Sequence, residues 1–156
     1  RMTFALGGGP TYVRTEGGKD EWQPNGYMKF TNNIEHGQLT LGATAGVEQD
    51  NFSGTNQQGP VDYWQVDGRF SYDLTVNTTT SVYALYRDEE REDPIIDEYN
   101  IQRITAGADV RYNFLRWYYV SAAYTFTNSE SERIQSDYDE HRLYLSLGVE
   151  KSLFSW

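Results

Sequence analysis

Apolar and polar residues alternate along this chain with a period of two, in block after block. In one block Ile104, Ala106, Ala108, Val110, Tyr112 and Phe114 alternate with Arg103, Thr105, Gly107, Asp109, Arg111 and Asn113. In the next, Tyr118, Val120, Ala122, Tyr124 and Phe126 alternate with Tyr119, Ser121, Ala123, Thr125 and Thr127. Successive side chains of a β-strand point to opposite faces, so each block predicts a strand with one apolar and one wet face. About eight such segments can be traced, near residues 2–14, 22–32, 38–49, 62–74, 79–88, 99–114, 118–128 and 140–154. Several reach about ten residues, longer than the usual five or six of a soluble strand and suited to a tilted strand crossing a bilayer. Segments two and five resist a phase assignment: Tyr83 and Leu85 compete with Val82, Ala84 and Tyr86, and Lys29 and Arg87 have no assigned face.

The connections alternate in length. Asn33 to Gly37, Thr75 to Thr78 and Leu115 to Trp117 are short, whereas Thr15 to Glu21, Asp50 to Val61, Glu89 to Glu98 and Ser129 to Asp139 are long and polar. Trp22 and Trp64 fall where strands leave long loops, and Trp117 and Trp156 fall at the short-turn edge. All four thus take positions expected of interfacial aromatics. The prediction is an all-β fold, a single antiparallel up-and-down transmembrane β-barrel of about eight strands over residues 1–156.

Composition narrows the functional classes. With 38% hydrophobic residues and a mean hydropathy of -0.72, the chain has no stretch approaching the roughly 18 apolar residues of a spanning helix. A barrel needs none, since only alternate residues face lipid. Cysteine is absent, which excludes disulfides and thiolate metal sites. The net charge of -10 argues against nucleic acid as a partner and against attraction to anionic lipid headgroups. The chain opens at Arg1 and runs straight into a strand pattern, which reads as a processed or truncated product.

The strand number, the loop asymmetry and the aromatic-rich last segment, from Leu143-Tyr144-Leu145-Ser146-Leu147-Gly148-Val149 to Phe154-Ser155-Trp156, resemble Gram-negative outer-membrane β-barrels. The similarity is to the small OmpA/OmpX-like type or to the C-terminal part of a larger porin-like barrel. It implies a place in the bacterial outer membrane, contact with membrane lipid including that of the outer leaflet, and a structural or passive-transport role without a cofactor. One departure concerns parity: Leu143 to Val149 are odd-numbered, whereas Phe154 and Trp156 are even. A bulge near Glu150 to Ser152, or a girdle beyond the last membrane-facing residue, would account for it.

Parity sends Asp67, Arg69, Asp73, Arg103, Asp109, Arg111 and Glu150 inward as a polar lumen network, together with Gln65, Thr40, Thr44 and Tyr144. On the lipid face an Arg or Lys at the midplane would cost roughly 2–4 kcal/mol. The expectation is the closed eight-stranded form, in which these side chains fill the lumen as an ion-paired plug and leave no continuous water path; the alternative is a wider barrel, in which they would line a conducting path. The acidic runs around Asp88 to Asp93 and Glu130 to Glu140 raise weak divalent-cation binding, although no spacing matches a calcium loop. An outer-membrane lipid-modifying enzyme would need a Ser–His–acid set, for which only His36 and His141 are present, with Ser129 and Ser131 near the latter. No enzyme is therefore expected. Gly7-Gly8-Gly9-Pro10 is no phosphate loop and marks a bend or close approach. The alternative from another class is a soluble lipocalin-like ligand-binding barrel, which inverts the faces, with apolar residues inside and charges out.

Overall fold

The computed structural model describes residues 1–13, 21–49, 60–91, 99–114, 117–132 and 137–150. Eight strands form one antiparallel sheet: β1 (Met2–Val13), β2 (Glu21–Ile34), β3 (Gly37–Gln49), β4 (Pro60–Thr75), β5 (Thr78–Arg91), β6 (Tyr99–Phe114), β7 (Tyr118–Ser131) and β8 (Tyr138–Val149). Each strand pairs with the next in sequence order, so the sheet is an uninterrupted meander. Glu35-His36 and Val76-Asn77 form two of the short turns. The third falls partly on residues 115–116, outside the described residues, as do Trp156 and the site of the expected bulge at 151–152.

Register fixes the face of every strand residue, because directly paired residues share a face. The row Gln65, Arg87, Arg103, Ser129 runs across β4 to β7, and on the other side Gln65 continues to Thr44, Tyr27 and Gly7. This settles the two ambiguous segments: Tyr27 and Lys29 on β2, and Tyr83, Leu85 and Arg87 on β5, share the polar face. The opposite face carries rows such as Leu39, Phe70, Val82, Ala108, Tyr124 and Leu143.

The sheet curves toward its polar face. There side chains meet across an intervening strand, as in Arg69–Asp109, Arg87–Glu48 and Tyr83–Thr125. Strands two apart on a flat sheet would be about 9.6 Å apart. The burial pattern agrees: Ser81, Glu89 and Ser129 on the polar face are buried, while Ile104, Val82 and Val120 on the apolar face stay 43–51% exposed. The apolar side chains are thus turned outward.

Among the described residues no ladder joins β1 to β8, and both edges are open. Met2, Phe4 and Leu6 on β1, and Leu143, Leu145 and Leu147 on β8, are 63–75% exposed. The accessible surface is 11825 Å². A water-soluble monomer of 18.0 kDa would expose about 8,000 Å². Val61 and Tyr99 alone make up the buried hydrophobic set among the described residues.

Several strands run further than the alternation indicates, β5 and β7 the furthest at their C-terminal ends. β5 continues to Arg91 and β7 to Ser131, so Asp88, Glu89, Glu90 and Glu130 belong to strands and not to acidic loops.

Candidate functional site: the polar wall

The seven Lys and Arg residues within the strands, Lys29, Arg69, Arg87, Arg91, Arg103, Arg111 and Arg142, all fall on the inward parity. The outward parity of the described strands carries no cation. Its charges are acids, Asp62, Asp88, Glu90, Glu130 and Asp139, all near the long-connection ends. Between these and the short turns lies an uncharged apolar belt.

Aromatic side chains border that belt. Toward the long connections Tyr12 packs on Trp22 at 5.1 Å and Trp64 on Tyr86 at 5.0 Å. Toward the short turns Phe70 stacks on Tyr72, and Phe114 on Tyr112 and Tyr118. Trp22 and Trp64 are exposed on the outer face. Trp117 lies in the β6–β7 connection, where its carbonyl accepts the Glu150 amide at 2.8 Å. The upper limit of the belt is Trp64 on β4, Tyr86 on β5, Ile104 on β6, Phe126 on β7 and Leu143 on β8. Against the ladder this line drifts by about one and a half residues per strand on average. With strands about 4.8 Å apart and a rise of about 3.3 Å per residue, a level belt would mean strands tilted by roughly 45°, at the upper end of the range of barrel strands.

On the polar wall the expected residues separate into small groups. Arg69 Nη2 donates to Asp109 Oδ1 at 3.0 Å and to Ser81 Oγ at 2.6 Å, and Ser81 also bonds Asp109. Arg111 Nη2 donates to Glu150 at 2.5 Å, tying β6 to the residue that follows β8. Asp73 accepts from Thr79 Oγ1 at 2.8 Å, and Asp67 lies across from Gly42; neither enters an ion pair among the described residues.

Arg103 joins a cluster that the alternation does not reveal. Glu89, 4% exposed at its side chain, is 2.7 Å from Arg87, 2.8 Å from Arg91 and 3.8 Å from Arg103. Arg87 also donates to Glu48 at 2.6 Å. The signal was a carboxylate two residues from an arginine on either side, but it sits within an acidic run that reads as loop.

Glycine and tyrosine complete the wall. Gly7, Gly107 and Gly148 are the direct partners of Tyr27, Tyr83 and Tyr119, and a β-carbon at any of them would run into the facing ring. The rings lie flat over the neighbouring strand because these positions lack a side chain. Arg69 covers Tyr83 at 5.7 Å and Arg111 covers Tyr119 at 3.9 Å, so two arginine–tyrosine–glycine layers line the face. Gly7 shows the close approach expected of the glycine run.

Ser129 and His141 do not come together. Ser129 is buried on the polar face, whereas His141 lies on the apolar face, where Nδ1 meets the Tyr124 hydroxyl at 2.7 Å. Among the described residues no three acid, histidine or cysteine side chains form a metal-sized site, and most of the acidic loops lie outside them. Comparison of the chain with protein-family models, curated proteins and solved structures gives no match.

Proposed function

We propose that this chain forms wall of an outer-membrane β-barrel, with its apolar face against lipid and its polar face toward an aqueous interior, and that its role is structural or passive transport without catalysis. The observation that carries this is the placement of all seven strand cations on the concave face. A soluble barrel has every reason to put Lys and Arg outward, whereas lipid penalises each of them there. The aromatic residues bordering the apolar belt support the same reading.

Lipid also constrains the two open edges. An unpaired strand edge leaves backbone N–H and C=O groups without water, so in a bilayer β1 and β8 must be paired with one another or with further strands. The open inner face favours a water-lined wall over a filled plug: Arg69 remains half-exposed at its side chain and Gly9 faces open space.

Phase partition tests the membrane reading. The refolded protein should enter the detergent-rich phase and precipitate when detergent is withdrawn. A monodisperse species in detergent-free buffer would favour the lipocalin-like alternative and defeat this one.

A further inference from the structure

Strands β2 and β3 separate near the long connections. Their ladder ends at the pair Gly26 and Ala45, although β2 begins at Glu21 and β3 runs on to Gln49. Over this stretch each keeps its other neighbour: β2 stays paired with β1 as far as Glu21, and β3 with β4 as far as Gln49. The cause lies in the sequence. Continuing the register would set Pro24 opposite Val47, and proline has no N–H to give that carbonyl. The Val47 amide donates instead to Asn25 Oδ1 at 2.9 Å, and the Asn25 side chain, also bonded to Thr11, lies where a β-carbon on Gly46 would stand. On the same stretch Gln23 Oε1 is buried without a hydrogen-bond partner. The seam begins at the height of Trp64, which pairs with Ala45 at the upper limit of the apolar belt. At that depth a break in the ladder is unfavourable unless something fills it.

A cavity of about 360 Å³ lies in this seam, within the size range of small-ligand sites. Its walls come from both sides of the sheet: Gln23 and Tyr63 have the inward parity, Pro24 and Trp64 the outward one. Asp88 and Glu90 also line it on the outward side, and no Lys or Arg does so among the described residues. That charge disfavours anionic head groups and attracts a cation, for which the Trp64 ring is a further partner.

We propose that the β2–β3 seam is a binding site, reached from the lipid side, for a single-chain amphiphile with a cationic ammonium head, the head held among Trp64, Asp88 and Glu90 and the chain lying on the apolar belt. The proposal rests on reading the outer face as lipid-facing, and it adds a site and the class of its ligand.

The test is a titration of the folded protein in a neutral maltoside detergent with octyltrimethylammonium chloride. It is read by the backbone amide NMR signals of Gly46 and Val47, with Leu41 in the paired part of β3 as internal reference. Sodium octyl sulfonate carries the same chain with the opposite charge, and tetramethylammonium chloride the same head without the chain. Saturable shifts at Gly46 and Val47 that are absent at Leu41, with binding about tenfold weaker or more for either reference compound, support the site. E90Q should weaken binding several-fold and V47W, which fills the cavity, should abolish it. D139N, which removes an outward acid on β8, should leave it unchanged. No saturation, equal affinity for octyl sulfonate or tetramethylammonium, or equal weakening in E90Q and D139N overturns the proposal. The wild-type titration stands even if V47W fails to fold. Detergent partition is read separately, so loss of the site and loss of the membrane reading are distinguishable.

Discussion

At Glu89 a single carboxylate ties three guanidinium groups from two strands, and its side chain is almost wholly removed from water. Glu89→Gln leaves those cations under-compensated, so it should destabilise the fold by about 3–5 kcal/mol in denaturant titrations. Asp73→Asn, at an exposed hydrogen-bonded site, should stay within about 1 kcal/mol. Arg69 and Asp109 are partly exposed, which discounts their pairing. The cycle R69L, D109N and the double variant should still show about 1 kcal/mol of coupling, and strict additivity would count against the pair. Parity alone marked Arg69, Arg103, Asp109 and Arg111 as inward, because each lies in a clean alternation. It could not separate the groups, since partners two strands apart depend on register and curvature. Glu89 was hidden for a related reason: in a run of consecutive charges no period survives.

At the scale of the strand, β6 shows how closely alternation maps onto the two faces. Ile104, Ala106, Ala108 and Val110 point outward, while Arg103, Thr105, Gly107 and Asp109 point in. Ala106→Arg should therefore cost about 2–4 kcal/mol when folding is measured in lipid vesicles, and Thr105→Arg much less. Equal penalties at the two positions would mean that the outer face is not in lipid. Strand β5 was illegible by itself because Tyr83, Leu85 and Tyr86 place bulky apolar side chains on both parities. Pairing of Ser81 with Asp109 and of Arg87 with Arg103 assigns its phase. Strand ends were blurred for another reason: beyond the aromatic borders the outward residues become acids, and the contrast that marks a strand fades although the ladder continues.

Across the whole molecule, the order and antiparallel sense of eight strands were readable from the alternation and from the short and long connections. Closure was not, because nothing in a period-two pattern states which strand meets β1. Among the described residues the sheet has an apolar outer face, a charged inner face and two open edges, and that combination supports the proposed wall between lipid and an aqueous lumen. Site-directed spin labels in reconstituted vesicles test that claim most directly, since oxygen concentrates in lipid and a polar nickel complex in water. Labels at Ala84, Ala106 and Ala122 should be accessible to oxygen, and labels at Thr105 and Thr125 should favour the nickel complex or show protein contact, the preference switching from Ile104 to Thr105 to Ala106 along β6. Nickel access along the Ala84, Ala106 and Ala122 face, with oxygen preference on the Thr105 and Thr125 face, would contradict the account.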